Sequence, residues 1–107
     1  MPLSILVDDG HEKVEKIIYF FMDEYDFVTR KIEQINEYPI LKKALKEYYS
    51  DFEIYLNEIE PLRSEVNAFI IQFESDCPDN IKTFMESFRM LVEYALLFKR
   101  TVKFVGD

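Results

Sequence analysis

At 107 residues the chain can bury one sizeable core but not two, and with 49 % apolar residues it is no disordered tail. A formal net charge of −8 weighs against direct binding to nucleic acid or to an anionic membrane, and the lone cysteine, Cys77, excludes an intrachain disulfide. The stretch Met1–Asp9 has no basic segment and does not read as a signal peptide, and no apolar run approaches the roughly 18 residues of a membrane span. The composition therefore predicts a protein of the reducing cytoplasm that meets other proteins.

In chain order, residues 1–8 read as a short extended arm, with Leu3, Ile5 and Val7 alternating against Ser4 and Leu6. By length, this arm would pack on the far end of the second helix. A first helix is expected over 10–37, capped by Asp8 or Asp9 and stopped by Pro39. Its apolar stripe is Val14, Ile18, Phe21, Tyr25, Val28, Ile32 and Ile35, in alternating steps of four and three.

The same spacing runs through Leu41, Leu45, Tyr48, Phe52, Tyr55, Ile59, Leu62, Val66, Phe69 and Phe73 and predicts a second helix over 40–75. Pro61 lies inside it but off the stripe. A bend at Pro61 that keeps the phase is favoured over a fresh helix starting there, because Glu60 would be a poor cap. After the break at Asp76–Asn80, a helix over 79–104 is expected from Phe84, Phe88, Leu91, Ala95, Phe98, Val102 and Val105. Leu3–Val7 and Thr101–Val105 could instead join as a small β-ribbon, but helical phase already accounts for Val102 and Val105. The fold class these stripes predict is all-α: a bundle of three long antiparallel helices, four if Pro61 breaks the second, with Tyr25, Phe52, Phe88 and Ala95 in the core.

Few residues offer chemistry. His11 is the only histidine, so a carboxylate-bridged di-iron site cannot be assembled, and His11 reads as an exposed first-turn residue. Cys77, before Pro78, reads as an ordinary loop cysteine. The two glycines lie far apart and cannot form a phosphate loop. With no nucleophile–base pair and no metal spacing, the expectation is a non-enzymatic protein without cofactor or metal.

Charge is unevenly placed. Residues 1–39 carry nine acids and four bases, residues 40–75 seven and four, and residues 76–107 five and five. Asp23, Glu24 and Asp26 form one acidic patch, and Glu47, Asp51, Glu53, Glu58 and Glu60 follow one another with no base between them. Lys99, Arg100 and Lys103 gather where the last helix would end and suit its dipole.

Two functions fit. The first is a helical protein–protein interaction or regulatory module, hinted at by the off-stripe residues Phe20, Phe27, Ile54 and Ile71. The last helix would cover the second only back to about Ser50. The tip of the first hairpin would then expose Val28, Ile32, Ile35, Leu41, Leu45 and Tyr48, rimmed by Glu33, Glu37, Lys42, Lys43 and Lys46, and a homodimer would hide it. The alternative is an acidic decoy that mimics nucleic acid and binds a basic nucleic-acid-binding protein. A continuous acidic ridge would favour the decoy; acids interspersed with Lys13, Lys16, Arg30 and Lys31 would favour the module.

Overall fold

The computed structural model of the chain describes residues 2–11, 13–46, 48 and 51–106. It corrects the all-α expectation: the fold is mixed, with four strands and four helices among the described residues. In order these are β1 (Leu3–Asp8), β2 (Val14–Phe20), α1 (Met22–Gln34), α2 (Pro39–Ala44), β3 (Phe52–Ile54), α3 (Leu56–Gln72), α4 (Asp79–Phe98) and β4 (Val102–Val105). The strands form one antiparallel sheet in the order β2-β1-β4-β3.

Each expected helix loses a piece to this sheet. The helix over 10–37 is β2 followed by the shorter α1, and the helix over 40–75 is α2, β3 and α3. The helix over 79–104 ends at Phe98 and continues as β4. The arm over 1–8 is not an arm on the second helix but β1, inside the sheet between β2 and β4. The ribbon joining the chain ends, set second on sequence grounds, is the middle of that sheet, where Ile5 pairs with Phe104 and Leu6 with Lys103.

The physical reason lies in the spacing. A step of four returns a side chain to the same face of either a helix or a strand; only a step of three separates them. The stripe crosses into β-structure at Tyr48 to Phe52 and at Phe98 to Val102, both steps of four. Within β2 the unbroken run Ile17-Ile18-Tyr19-Phe20 is rich in β-branched and aromatic residues, which favour a pleated surface. Gly10, at φ +81, makes the turn between β1 and β2, where Asp8 and Asp9 side chains accept hydrogen bonds from the Gly10, His11 and Lys13 amides.

The inner face of the sheet carries Leu3, Ile5, Val7, Phe20, Ile54, Val102 and Phe104, all buried. Aromatic rings join it to the helices: Phe20 stacks on Phe84 at 4.1 Å between centroids, and Phe88 meets Phe104 edge-on at 6.1 Å. Phe88 and Ala95 are core as expected, whereas Tyr25 and Phe52 are half-buried. Pro61 sits in the second turn of α3, which begins before it at Leu56; its missing N–H leaves the Asn57 carbonyl without a helical partner.

One buried acid holds two helices together. Pro39 opens α2, so Ile40 and Leu41 carry its first free amides. The buried Glu65 carboxylate, from α3, accepts both, at 3.0 and 3.1 Å from Ile40 and 3.0 Å from Leu41. Burial pushes this carboxyl above its ordinary value, and the two amides offset only part of that. Nearby, the Tyr38 hydroxyl is hydrogen-bonded to Gln72.

Candidate acidic interface

α1 is fixed at its N-terminal end. Glu24 turns back to accept the Phe21 amide at 3.1 Å, closing the helix N-terminus with a carboxylate where the dipole favours one. Two tyrosine hydroxyls tie the helix and the end of β2 before it to the chain around α2: Tyr25 donates to the Leu45 carbonyl at 2.6 Å, and Tyr48 to the Phe20 carbonyl at 2.7 Å. Val28 and Ile32 are buried beneath it.

The opposite face of α1 carries Asp23, Asp26, Arg30 and Glu33, and Glu37 follows in the next turn; all are exposed. At 100° per residue the four helical positions fall within roughly a quarter-turn of one another, and Asp23 and Glu33 lie about 15 Å apart along the axis. Asp23, Asp26, Glu33 and Glu37 make no salt bridge among the described residues. Arg30, the one base in this row, donates through Nε to the Asp26 carbonyl at 3.2 Å. Lys31 leans off the row, 3.6 Å from Asp76 and over the rings of Phe27 and Phe73.

The second acidic run does not make a ridge. Glu58 is bound by Lys43 at 2.9 Å and Glu60 by Arg63 at 3.5 Å. Asp51 accepts the Gly106 amide, and Glu53 accepts the Thr101 hydroxyl. Glu47 lies outside the described residues. On the sheet, Asp8 pairs with Lys103 and Glu15 with Arg100, each at 2.7 Å. These hydrogen bonds hold both carboxyls below the usual range, although partial desolvation opposes them.

The expected hairpin tip is built differently. Val28, Ile32, Leu41, Leu45 and Tyr48 are buried within one copy, and Ile35 is half-buried against the core. They are core under α1 and α2, because β3 and α3 fold back over them instead of running on as one rod. Glu33, Glu37, Lys42, Lys43 and Lys46 are exposed around them. Of the off-stripe residues, Phe20 and Ile54 are fully buried, Phe27 is half-buried and Ile71 is exposed.

His11 is exposed in the β1–β2 turn, not on a helix. Cys77 is half-buried and its thiol is pushed up by burial, the reverse of an activated thiolate. Among the described residues no three His, Cys, Asp or Glu side chains gather as they would around a metal ion, and no helix is long and apolar enough to cross a membrane.

The chain matches no family model, and no curated protein matches it in sequence. Its fold is similar to the solved structure of the Neisseria DNA mimic protein DMP12, with a TM-score of 0.65 at 9 % identity. The likeness covers 98 % of this chain and 99 % of that one.

Proposed function

We propose that the chain is an acidic decoy: it presents carboxylates in place of phosphates to a basic nucleic-acid-binding protein, and acts by occupying that protein's binding surface. The observation that carries this reading is the set Asp23, Asp26 and Glu33 on one exposed face of α1, with Glu37 just beyond the helix, none of them in an ion pair among the described residues and Arg30 the one base among them. Asp23 and Asp26, three residues apart on the helix, stand about 5–6 Å apart at Cβ, and Glu33 lies about 10 Å further along the axis, like charges on one line of the kind that a basic groove reads in a phosphate backbone. The net charge of −8 adds long-range attraction for a cationic partner. The end-to-end fold likeness to a protein named as a DNA mimic supports the same reading.

In this reading the chain is no enzyme, needs no cofactor, and works in the cytoplasm, where such partners are met. Binding through the hairpin tip is not carried forward, since five of its six apolar residues are buried and Ile35 is half-buried.

The test is capture on immobilised chain, with elution by competing duplex DNA. The partner should be basic, should leave the column in duplex DNA or in raised salt, and should be lost when Asp23→Asn, Asp26→Asn, Glu33→Gln and Glu37→Gln are combined. Retention by that variant, or elution insensitive to DNA, would overturn the proposal.

A further inference from the structure

Phe21 stands where the fold does not need a ring. It is the residue before α1, a position at which Ser, Thr, Asp or Asn would cap the helix, and a phenyl side chain caps nothing. Glu24 closes the helix in its place, through the Phe21 amide. The apolar contact that steadies a helix start is made one residue earlier, where Phe20 meets Tyr25 edge-on at 5.7 Å between centroids. The Phe21 ring is left 56 % exposed.

That ring lines a hollow of about 440 Å³ between the end of β2 and the start of α4. Tyr19, 49 % exposed, supplies a second ring, and Glu24 a carboxylate. Asn80, Thr83 and Ser87, on one face of α4, supply oxygens. Among the described residues no lysine or arginine lines it, whereas the neighbouring hollow along α4 is lined by Lys16 and Arg89. Two helices start here, and each dipole disfavours a cation with about half a charge. Asp23 and Glu24 in the first turn of α1, and Asp79 in that of α4, outweigh this with a full negative charge each.

Exposed aromatic faces beside a carboxylate suit a guanidinium. Its plane stacks on a ring while its N–H donors reach carboxylate and hydroxyl oxygens together; an ammonium, compact and strongly hydrated, does neither as well. The hollow also lies at the head of the acidic face of α1, since Asp23 and Asp26 follow Phe21 in the chain. We propose that it is an arginine pocket: the basic partner seats one arginine against Tyr19, Phe21 and Glu24 while its other cations lie along the acids of α1. This rests on the decoy reading and adds which cation the partner brings.

Two probes test it, an arginine–glycine repeat peptide and a lysine–glycine peptide of equal length, titrated with the chain at physiological salt by fluorescence anisotropy. Wild type should bind the arginine peptide at least about 5-fold more tightly. Phe21→Ser should remove that preference and leave the lysine peptide unaffected, and serine, a preferred cap, should preserve the helix. Asp26→Asn with Glu33→Gln, further along α1, should weaken both peptides and keep the preference. In wild type alone, N-acetylarginine amide should shift the backbone amide resonances of Tyr19, Phe21 and Thr83 before others, which decides the matter even if Phe21→Ser misfolds. Equal binding of the two peptides, a preference that persists in Phe21→Ser, or resonance shifts centred elsewhere would overturn the arginine pocket and leave the decoy reading standing. Binding of neither peptide would overturn the decoy reading with it.

Discussion

The acids on the sheet and the acids on α1 are the same residue types put to different uses. Asp8 and Glu15 are each 2.7 Å from a cation delivered by the far end of the chain, Lys103 and Arg100. They help fasten β4 and the end of α4 onto the β1–β2 hairpin. Asp23, Asp26, Glu33 and Glu37 fasten nothing, although a surface shared with Arg30 and Lys31 could have paired them.

The largest effect should come at the junction of the two regions. Phe20 ends β2 and precedes α1; it is fully buried and stacked on Phe84. Phe20→Ala should cost about 3–5 kcal/mol in chemical denaturation. A midpoint equal to wild type would mean that sheet and helix are not joined through this ring. Next comes Glu65, the one buried acid among the described residues. Glu65→Gln keeps the shape but supplies a single acceptor oxygen and sets an NH₂ against an α2 amide, so about 1–3 kcal/mol should be lost. An unchanged midpoint would show that α2 does not depend on Glu65 for its cap.

Acidity separates the two kinds of acid further. The folded pKa of Glu65 lies above its ordinary 4.5, so the stability gained from its protonated form is complete below that value and is lost as pH rises through the folded pKa. Asp8 behaves oppositely: its folded pKa lies below 3.8, so its contribution is present above that value and is lost as pH falls through the folded pKa. In urea titrations from pH 3 to 7, Glu65→Gln should flatten the slope above pH 4.5, and Asp8→Asn should flatten it below pH 3.8. If the two variants shift the same limb, the assignments are wrong.

How much could be read beforehand follows the same division. The buried stripes of α3 and α4 stand as the spacing has them, at Ile59, Leu62, Val66 and Phe69, and at Phe84, Phe88, Leu91 and Ala95. Residues 14–20, 52–54 and 102–105 did not, because the apolar steps of four from Val14 to Ile18, Tyr48 to Phe52 and Phe98 to Val102 fit both periods. Sheet partners that lie nearly a chain length apart, such as Ile5 and Phe104, leave no local mark. The acidic row was legible in part: Asp23 and Asp26 stood out as a patch, but Glu33 and Glu37 read as the rim of a tip. Their spacing opposite Val28 and Ile32 was the available signal. What set them apart from Glu58 and Glu60 was the absence of an ion pair among the described residues, which only tertiary structure shows.

If the α1 acids are spare, removing them should hardly touch stability. Asp23→Asn gives up a small favourable interaction with the helix N-terminus, while Glu33→Gln relieves an unfavourable one at the other end. The combined variant with Asp26→Asn and Glu37→Gln should stay within about 1 kcal/mol of wild type while partner capture is lost. A large loss of stability would mean that the row supports the fold and would remove the contrast with the sheet.

The smallest effect concerns the cations. Arg100 and Lys103 are spent on Glu15 and Asp8, but neighbouring Lys99 forms no salt bridge among the described residues. Its backbone is what the fold uses. Lys99 ends α4 at φ 56 and ψ 53, and it is the only described residue other than glycine with positive φ. Both its amide and that of Arg100, the latter at 2.8 Å, return to the Ala95 carbonyl and turn the chain toward β4. A side chain in this conformation costs about 1 kcal/mol relative to glycine, and a cation near a helix C-terminus returns a few tenths. Lys99→Gly should therefore raise stability by about 0.5 kcal/mol and leave the Glu15–Arg100 pair intact, seen as an upward shift of the urea midpoint. A downward shift would mean that the Lys99 ammonium, like those of its neighbours, is needed by the fold.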